Sequence, residues 1–195
     1  MLDVIKEIDL NVFLFLNSFH NDFFDFLMLN ISYNVLTFII LLFFLCFLGF
    51  KELKKKFFIA FIFLLISFGL SDLISTRVFK DNTKRLRPCH ELSLKDKVHL
   101  AGQKCGGGKY GFVSSHASNS FAIIAFFVLL IGARFTFLKY FYCYAALISY
   151  SRVYLARHYP LDIICGAILG LICAYIGFRA YQFFLNSRES NSHQQ

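Results

Sequence analysis

Residues 151–184 read SRVYLARHYPLDIICGAILGLICAYIGFRAYQFF, and this stretch decides the fold. From Ile163 to Phe178 it carries no charged side chain. An apolar run over 160–184 has the length, about 20 residues, that an α-helix needs to cross hydrocarbon. Pro160 suits the first helical position, where its missing N–H costs nothing. Immediately before it, His158 sits in a short turn that closes another apolar run over 138–156.

Three more runs of spanning length cover 33–50, 56–79 and 117–133. The chain of 195 residues is 57% hydrophobic with 27 Phe. A soluble domain is nearer 45–50% apolar. The mean hydropathy of +0.59 agrees with a bilayer solvent. The expected fold is therefore an all-α integral membrane protein, a helical bundle of five transmembrane helices. Residues 2–31 mix Val4, Ile5, Ile8 and Leu10 with Lys6, Glu7, Asp9 and Asn11, which predicts an N-terminal amphipathic helix at the interface. A sixth spanning helix is the alternative. One domain is expected over 1–185, with its core at 56–184 and a disordered polar tail at 186–195.

The formal net charge is +8. Its basic residues cluster at the ends of apolar runs, which fits orientation signals and anionic headgroups rather than nucleic acid. Lys51, Lys54, Lys55 and Lys56 join the first two spans, Arg134 and Lys139 flank a later turn, and Arg179 and Arg188 lie near the end. With five spans these sites share one side, which the positive-inside rule makes cytoplasmic. Segment 80–116 and the turn at His158 then face outward together. No removable leader is expected at the start of the sequence.

Three polar clusters fall at span ends on that outer face. Lys80, Arg87 and Pro88 form the first, with Lys84 and Arg85 as rivals for the same work. Ser114, Ser115 and His116 form the second. Ser151, Arg152, His158 and Asp162 form the third. His158 and Asp162 are four residues apart, a spacing that brings a carboxylate beside an imidazole at a helix start. Such a carboxylate holds one ring nitrogen and leaves the other as a nucleophile. Lys80, Arg87 and Arg152 supply the cations that phosphoryl transfer requires. Two spans separate His116 from Arg152, so both return to the same face. No acidic cluster calls for a metal, and no cofactor is expected. Asp72, an acid inside an apolar run, is a candidate supporting residue that holds one of the arginines.

Cys89 and Cys105 occupy the one long polar segment, near the glycine run Gly106–Gly108. In an oxidising compartment they form a candidate disulfide; two free thiols are the alternative.

Taken in order, Lys80-x6-Arg87-Pro88, Ser114-Ser115-His116 and Ser151-Arg152-x5-His158-x3-Asp162 resemble the three signature motifs of the type 2 phosphatidic acid phosphatase superfamily. That superfamily includes bacterial undecaprenyl-diphosphate phosphatases and vanadium haloperoxidases. The resemblance implies that His158 attacks phosphorus to form a phosphohistidine, Asp162 orients it, and His116 protonates the leaving oxygen. It implies phosphate binding by Lys80, Arg87, Ser114, Ser115 and Arg152. Val113 and Ser115 stand where the family pattern has Pro and Gly, which bears on the shape of that loop. The expected partner is a phosphorylated lipid in the outer face of a bacterial inner membrane. Undecaprenyl diphosphate is the first choice; lipid A phosphate, phosphatidylglycerol phosphate and phosphatidate are alternatives. A non-catalytic protein that binds anionic lipid is the competing class, and it predicts no effect of His158→Ala.

Overall fold

The structure, a computed structural model, describes residues 2–192. Its helices are α1 (Leu2–Ser18), α2 (Asp22–Tyr33), α3 (Val35–Leu53), α4 (Lys56–Leu73), the short α5 (Asp81–Thr83), α6 (Ser115–Ile131), α7 (Phe141–Tyr154) and α8 (Pro160–Ser192). A π-helical stretch, Ile74–Lys80, joins α4 to α5, so the chain is helical without a break from Lys56 to Thr83.

Helix α6 is the hub. It packs most extensively on α8 and also touches α4 and α7. Glycines explain the closeness. A Cβ at Gly166 would lie 2.7 Å from the Ser114 carbonyl oxygen, and one at Gly170 would lie 2.2 Å from that of Ser118. A Cβ at Gly177 would meet Ser67 Oγ of α4 at 1.9 Å. Small residues four apart let helix backbones touch, which is how helices associate where lipid removes the hydrophobic drive. Around this contact Leu45, Leu64, Ile123, Phe126, Phe127 and Leu138 form the main core.

Three helical segments, Val35–Leu53, Lys56–Thr83 and Pro160–Ser190, are long and apolar enough to cross a membrane; Ser115–Ile131 is shorter and equally apolar. Their outer faces carry Phe43, Phe58 and Phe183, all well exposed, as lipid-facing surfaces are. The expected span at 138–156 is divided: a 3₁₀ turn, Thr136–Tyr140, precedes the 14-residue α7.

The N-terminal segment differs in detail from the expected single amphipathic helix. Residues 2–31 form two helices, broken where Asn21 caps α2 by accepting from Phe24 N at 2.9 Å. Helix α1 does not simply lie on the membrane. Asp9, Phe13 and Asn17, four apart and therefore on one face, are buried against the protein. Asn17 Nδ2 donates to the Tyr154 carbonyl at 2.7 Å, and Phe13 packs edge-on against Tyr159. Neither is among the apolar helices of spanning character: α2 has 12 residues, and α1, though it matches the 17 of α6, carries Asp3, Lys6, Glu7 and Asp9. The other difference is at the end: α8 continues through Ser192, where a disordered tail is expected from residue 186. Extending an existing helix adds one hydrogen bond per residue without a new nucleus, and Glu189 reaches Lys56 at 3.0 Å.

The polar segment between α5 and α6 folds over the helix ends. Leu86 pairs with Tyr110 in an antiparallel bridge, and Cys89 is disulfide-bonded to Cys105. Cys89 N donates to Ala156 O at 3.0 Å, and Ser114 N to Asp162 O at 3.0 Å. These ties bring the three polar clusters of the sequence to one end of the bundle.

Candidate active site

Helix α8 begins with Pro160, and Asp162 reaches back to accept from Tyr159 N at 2.9 Å. This is the acidic half of a capping box, and it fixes the carboxylate at the helix start. Asp162 and His158 are both buried. Their closest approach, His158 Nδ1 to Asp162 Oδ2, is 3.5 Å, an ion-pair distance rather than a hydrogen bond. His158 Nδ1 has no hydrogen-bond partner among the described residues. Burial pushes the His158 imidazole down to about 4; Asp162 opposes that shift, and Arg87 and Arg152 add to it. The ring is therefore uncharged at neutral pH, as a nucleophile must be.

His158 lines a cavity of about 330 Å³ with Lys80, Arg87, Arg152, Ser115 and His116, so six residues of the three motifs converge. Lys80 Nζ donates to Ser115 Oγ at 2.6 Å, and Ser75 Oγ lies 2.8 Å from the same hydroxyl. Arg87 Nε donates to Tyr110 O at 3.2 Å. Burial lowers the Arg87 guanidinium from its ordinary value, and its cationic neighbour Arg157 adds to that. Arg152 donates to Ser32 Oγ of α2, while its buried Nε has no partner among the described residues.

Other expected residues are placed differently. Ser114 is wholly buried and does not line the cavity; its hydroxyl caps α6 by accepting from Ala117 N at 3.5 Å. A helix begun at Ser115 needs that cap more than the cavity needs another hydroxyl. Ser151 donates to Ile148 O of its own helix at 2.7 Å. Among the described residues no arginine lies in ion-pair range of Asp72, which instead accepts from Asn119 Nδ2 at 3.0 Å.

Several residues of the site carried no signal strong enough to single them out. Arg157 lines the cavity and ties the glycine-rich loop over it, donating to Gly106 O, to Lys104 O at 2.9 Å and to Tyr33 Oη at 3.1 Å. Gly111 lets that loop reach the dyad, since a Cβ there would stand 3.2 Å from Asp162 Oδ2 and 3.5 Å from His158 Nδ1. Arg85 does not face the phosphate cavity. Its Nη1 donates to Asp162 Oδ1 at 2.8 Å and its Nη2 to Asp9 Oδ2 of α1, with the guanidinium stacked 4.1 Å over Tyr159. Asp9 Oδ1 in turn accepts from Leu161 N at 2.9 Å. The first motif has cations to spare, and only the fold shows which one turns inward.

A buried neutral imidazole with a carboxylate behind it, facing four cations and a second histidine at one end of an apolar helical bundle, defines a class. The chain belongs to the PAP2 superfamily, whose profile matches residues 57–185. It is a membrane lipid phosphatase of that superfamily. Among characterised proteins it is similar to the lipid A 4'-phosphatase of Porphyromonas gingivalis, 31% identical over 93% of this chain and 76% of the relative. It is also similar to the lipid A 4'-phosphatase of Bacteroides thetaiotaomicron, 28% identical over 94% of this chain and 79% of the relative. Among solved structures it resembles Aquifex aeolicus LpxE, with TM-score 0.62 and 25% identity over 87% of this chain and 94% of that one. A phosphatidylglycerolphosphate phosphatase from Bacillus subtilis shares the fold, with TM-score 0.68 and 19% identity over 94% of this chain and 87% of that one.

Proposed function

We propose that this enzyme removes a phosphate monoester from the sugar headgroup of a lipid A-type glycolipid, at the outer face of a bacterial inner membrane. The observation that carries the chemistry is the convergence of Lys80, Arg87, Arg152, His116 and His158 on one cavity. The preference for lipid A rests on the two curated relatives, and it displaces undecaprenyl diphosphate as the first choice.

In this reading the phosphoryl oxygens lie against Lys80, Arg87 and Arg152, which neutralise charge in the transition state. Asp162 holds the Nδ1 side of His158 and the opposite nitrogen attacks phosphorus. The bond from phosphorus to the lipid oxygen breaks as that oxygen takes a proton from His116; burial and the surrounding cations hold the free imidazole down, to about 3, so His116 takes up that proton only with the phosphate anion bound beside it. A phosphohistidine results. Water then attacks the phosphorus, His116 takes its proton, the P–N bond breaks, and phosphate leaves. Outward orientation is supported by the basic loops of the opposite side and by the Cys89–Cys105 bridge, since such bonds persist in oxidising compartments.

The test is phosphate release in detergent from a panel of lipid A, undecaprenyl diphosphate, phosphatidylglycerol phosphate and phosphatidate, with and without chelator. Lipid A should be hydrolysed fastest, chelator should not matter, and His158→Ala should abolish turnover while thermal unfolding stays cooperative. Full turnover in that variant overturns the mechanism. Preference for another lipid overturns the substrate.

A further inference from the structure

Beside the phosphate cavity lies a second one of about 310 Å³, enclosed by α2, α3, α4, α6 and α7. The two share Tyr33, Ser115 and His116. His116 therefore stands between the phosphoryl group and whatever fills the second cavity. Resting on the reading above, in which His116 protonates the leaving oxygen, that second space receives the leaving group.

Its walls are mixed: Ile31, Val35, Phe38, Phe68 and Ile148 are apolar, while the polar Ser32, Asn34, Ser115 and Ser120 are each hydrogen-bonded within the protein. Asp72 is the one acid in the lining, with Asn119 beside it, joined by the single 3.0 Å hydrogen bond from Asn119 Nδ2 to Asp72 Oδ1. Among the described residues no cation lies within ion-pair range of Asp72, and no hydrogen bond reaches its Oδ2. An acid at the end of an apolar helix is costly to keep and marks a site of function by default. A carboxylate that lines a cavity without a cation in ion-pair range asks for a donor. A third, almost wholly apolar groove follows, lined by Thr37, Ile40, Leu41, Phe44, Phe141 and Tyr144, and it shares Tyr144 with the second cavity. The order is cations, then a chamber holding one carboxylate, then an apolar track. A phosphorylated sugar carrying an acyl chain has its groups in the same order.

We infer that Asp72, positioned by Asn119, reads a free hydroxyl of an uncharged sugar ring in the leaving group, and so selects sugar-linked phosphates over lipid diphosphates. The physical reason has two parts. A sugar hydroxyl donates to the carboxylate, a charge-assisted bond. A diphosphate instead leaves as an anion, and its second phosphate would occupy the chamber that Asp72 makes negative. Phosphatidate offers no free hydroxyl on its leaving group and gains nothing from Asp72.

The experiment uses the full chain in detergent. Its substrates are a lipid A monosaccharide phosphate, the analogue lacking the free ring hydroxyl nearest the phosphate ester, and undecaprenyl diphosphate. Wild-type enzyme should favour the hydroxylated substrate over its deoxy analogue by about tenfold to a hundredfold in kcat/KM, the range for a hydrogen bond to a charged group. Asp72→Asn should bring the two within about threefold of each other, and should shift the ratio of lipid A to diphosphate turnover toward the diphosphate. Inhibition by orthovanadate, which fills only the phosphate cavity, separates a local effect from misfolding. Equal wild-type rates on the hydroxylated and deoxy substrates overturn the inference whether or not the variant folds. So does an unchanged substrate ratio in an Asp72→Asn enzyme that still binds vanadate. Wild-type failure on every lipid A substrate, with good turnover of another lipid, is a different result, because it overturns the proposed function itself.

Discussion

Replacing Arg85 with Gln should damage this protein more than replacing any other basic residue outside the phosphate cavity. Arg85 joins two carboxylates whose side chains are 1% (Asp9) and 0% (Asp162) exposed, while its own is 25% exposed. Removing one partner of a buried ion pair costs about 3–5 kcal/mol, because the remaining charge stays out of water without compensation. Two carboxylates would be left here. Each keeps one backbone donor, Leu161 N for Asp9 and Tyr159 N for Asp162, which holds the loss within that range rather than doubling it. The guanidinium also covers the Tyr159 ring, a contact worth about 0.5–1 kcal/mol. Against a total stability of about 5–15 kcal/mol, a loss of this size is visible in any unfolding assay. Catalysis should fall as well, through kcat rather than KM, because Asp162 orients His158 and touches no substrate. Thermal unfolding in detergent and initial-rate kinetics measure the two effects. A double-mutant cycle of Arg85→Gln with Asp9→Asn should show coupling above about 1 kcal/mol, since the residues share one network. An Arg85→Gln protein within about 1 kcal/mol of wild type, with unaltered kcat, would refute the claim that α1 supports the dyad through Asp9 and Arg85.

Four further outcomes are expected. Because burial holds the His158 imidazole near 4, below its ordinary value, the nucleophile stays unprotonated until pH falls that far; kcat/KM measured against pH should keep that group's acid limb near 4, and a limb at the free-histidine value would contradict the buried geometry. Gly170→Ala places a methyl 2.2 Å from the Ser118 carbonyl and should cost about 3 kcal/mol in detergent unfolding, whereas Gly69→Ala, with nothing within 4 Å, should gain about 0.5–1 kcal/mol. Reducing the Cys89–Cys105 bridge, which closes a sequence separation of 16, should lower stability by about 3 kcal/mol and raise the KM of every substrate, since the loop it pins covers the phosphate cavity; unchanged kinetics in dithiothreitol would reject that role. Arg157→Lys keeps the charge but cannot span Tyr33 and two loop carbonyls at once, so it should raise the orthovanadate inhibition constant by about tenfold, the effect of one lost charged hydrogen bond.

The fold was legible where the solvent does the selecting. Apolar runs near the thickness of hydrocarbon announce helices whatever else the chain does, and the stretches at 56–79, 117–133 and 160–184 are helical for that reason. The site was legible where local spacing does the selecting. His158 and Asp162 are neighbours because they straddle a helix start, and the even number of spans between His116 and Arg152 returns both to one face. Polarity misled wherever a polar group is satisfied by the protein rather than by water. Asp9 counted among the polar residues that made α1 look like an interfacial helix, yet it is buried on Arg85, and Asn17 on the same face is buried on Tyr154. Ser114 matched a phosphate-binding motif and serves as a cap.

By itself, then, the sequence determined the all-helical membrane character, the three motifs and the pairing of His158 with Asp162, because each depends on the bilayer or on residues a few positions apart. Tertiary structure alone decided that Arg85, of the cations in the first motif, turns toward Asp162; that Arg157 holds the loop; and that Asp72 and Asn119 line a second chamber beside His116. Those contacts join residues separated by dozens of positions. Their partners are set by how closely α6 and α8 approach through Gly166 and Gly170, a distance that no local pattern encodes.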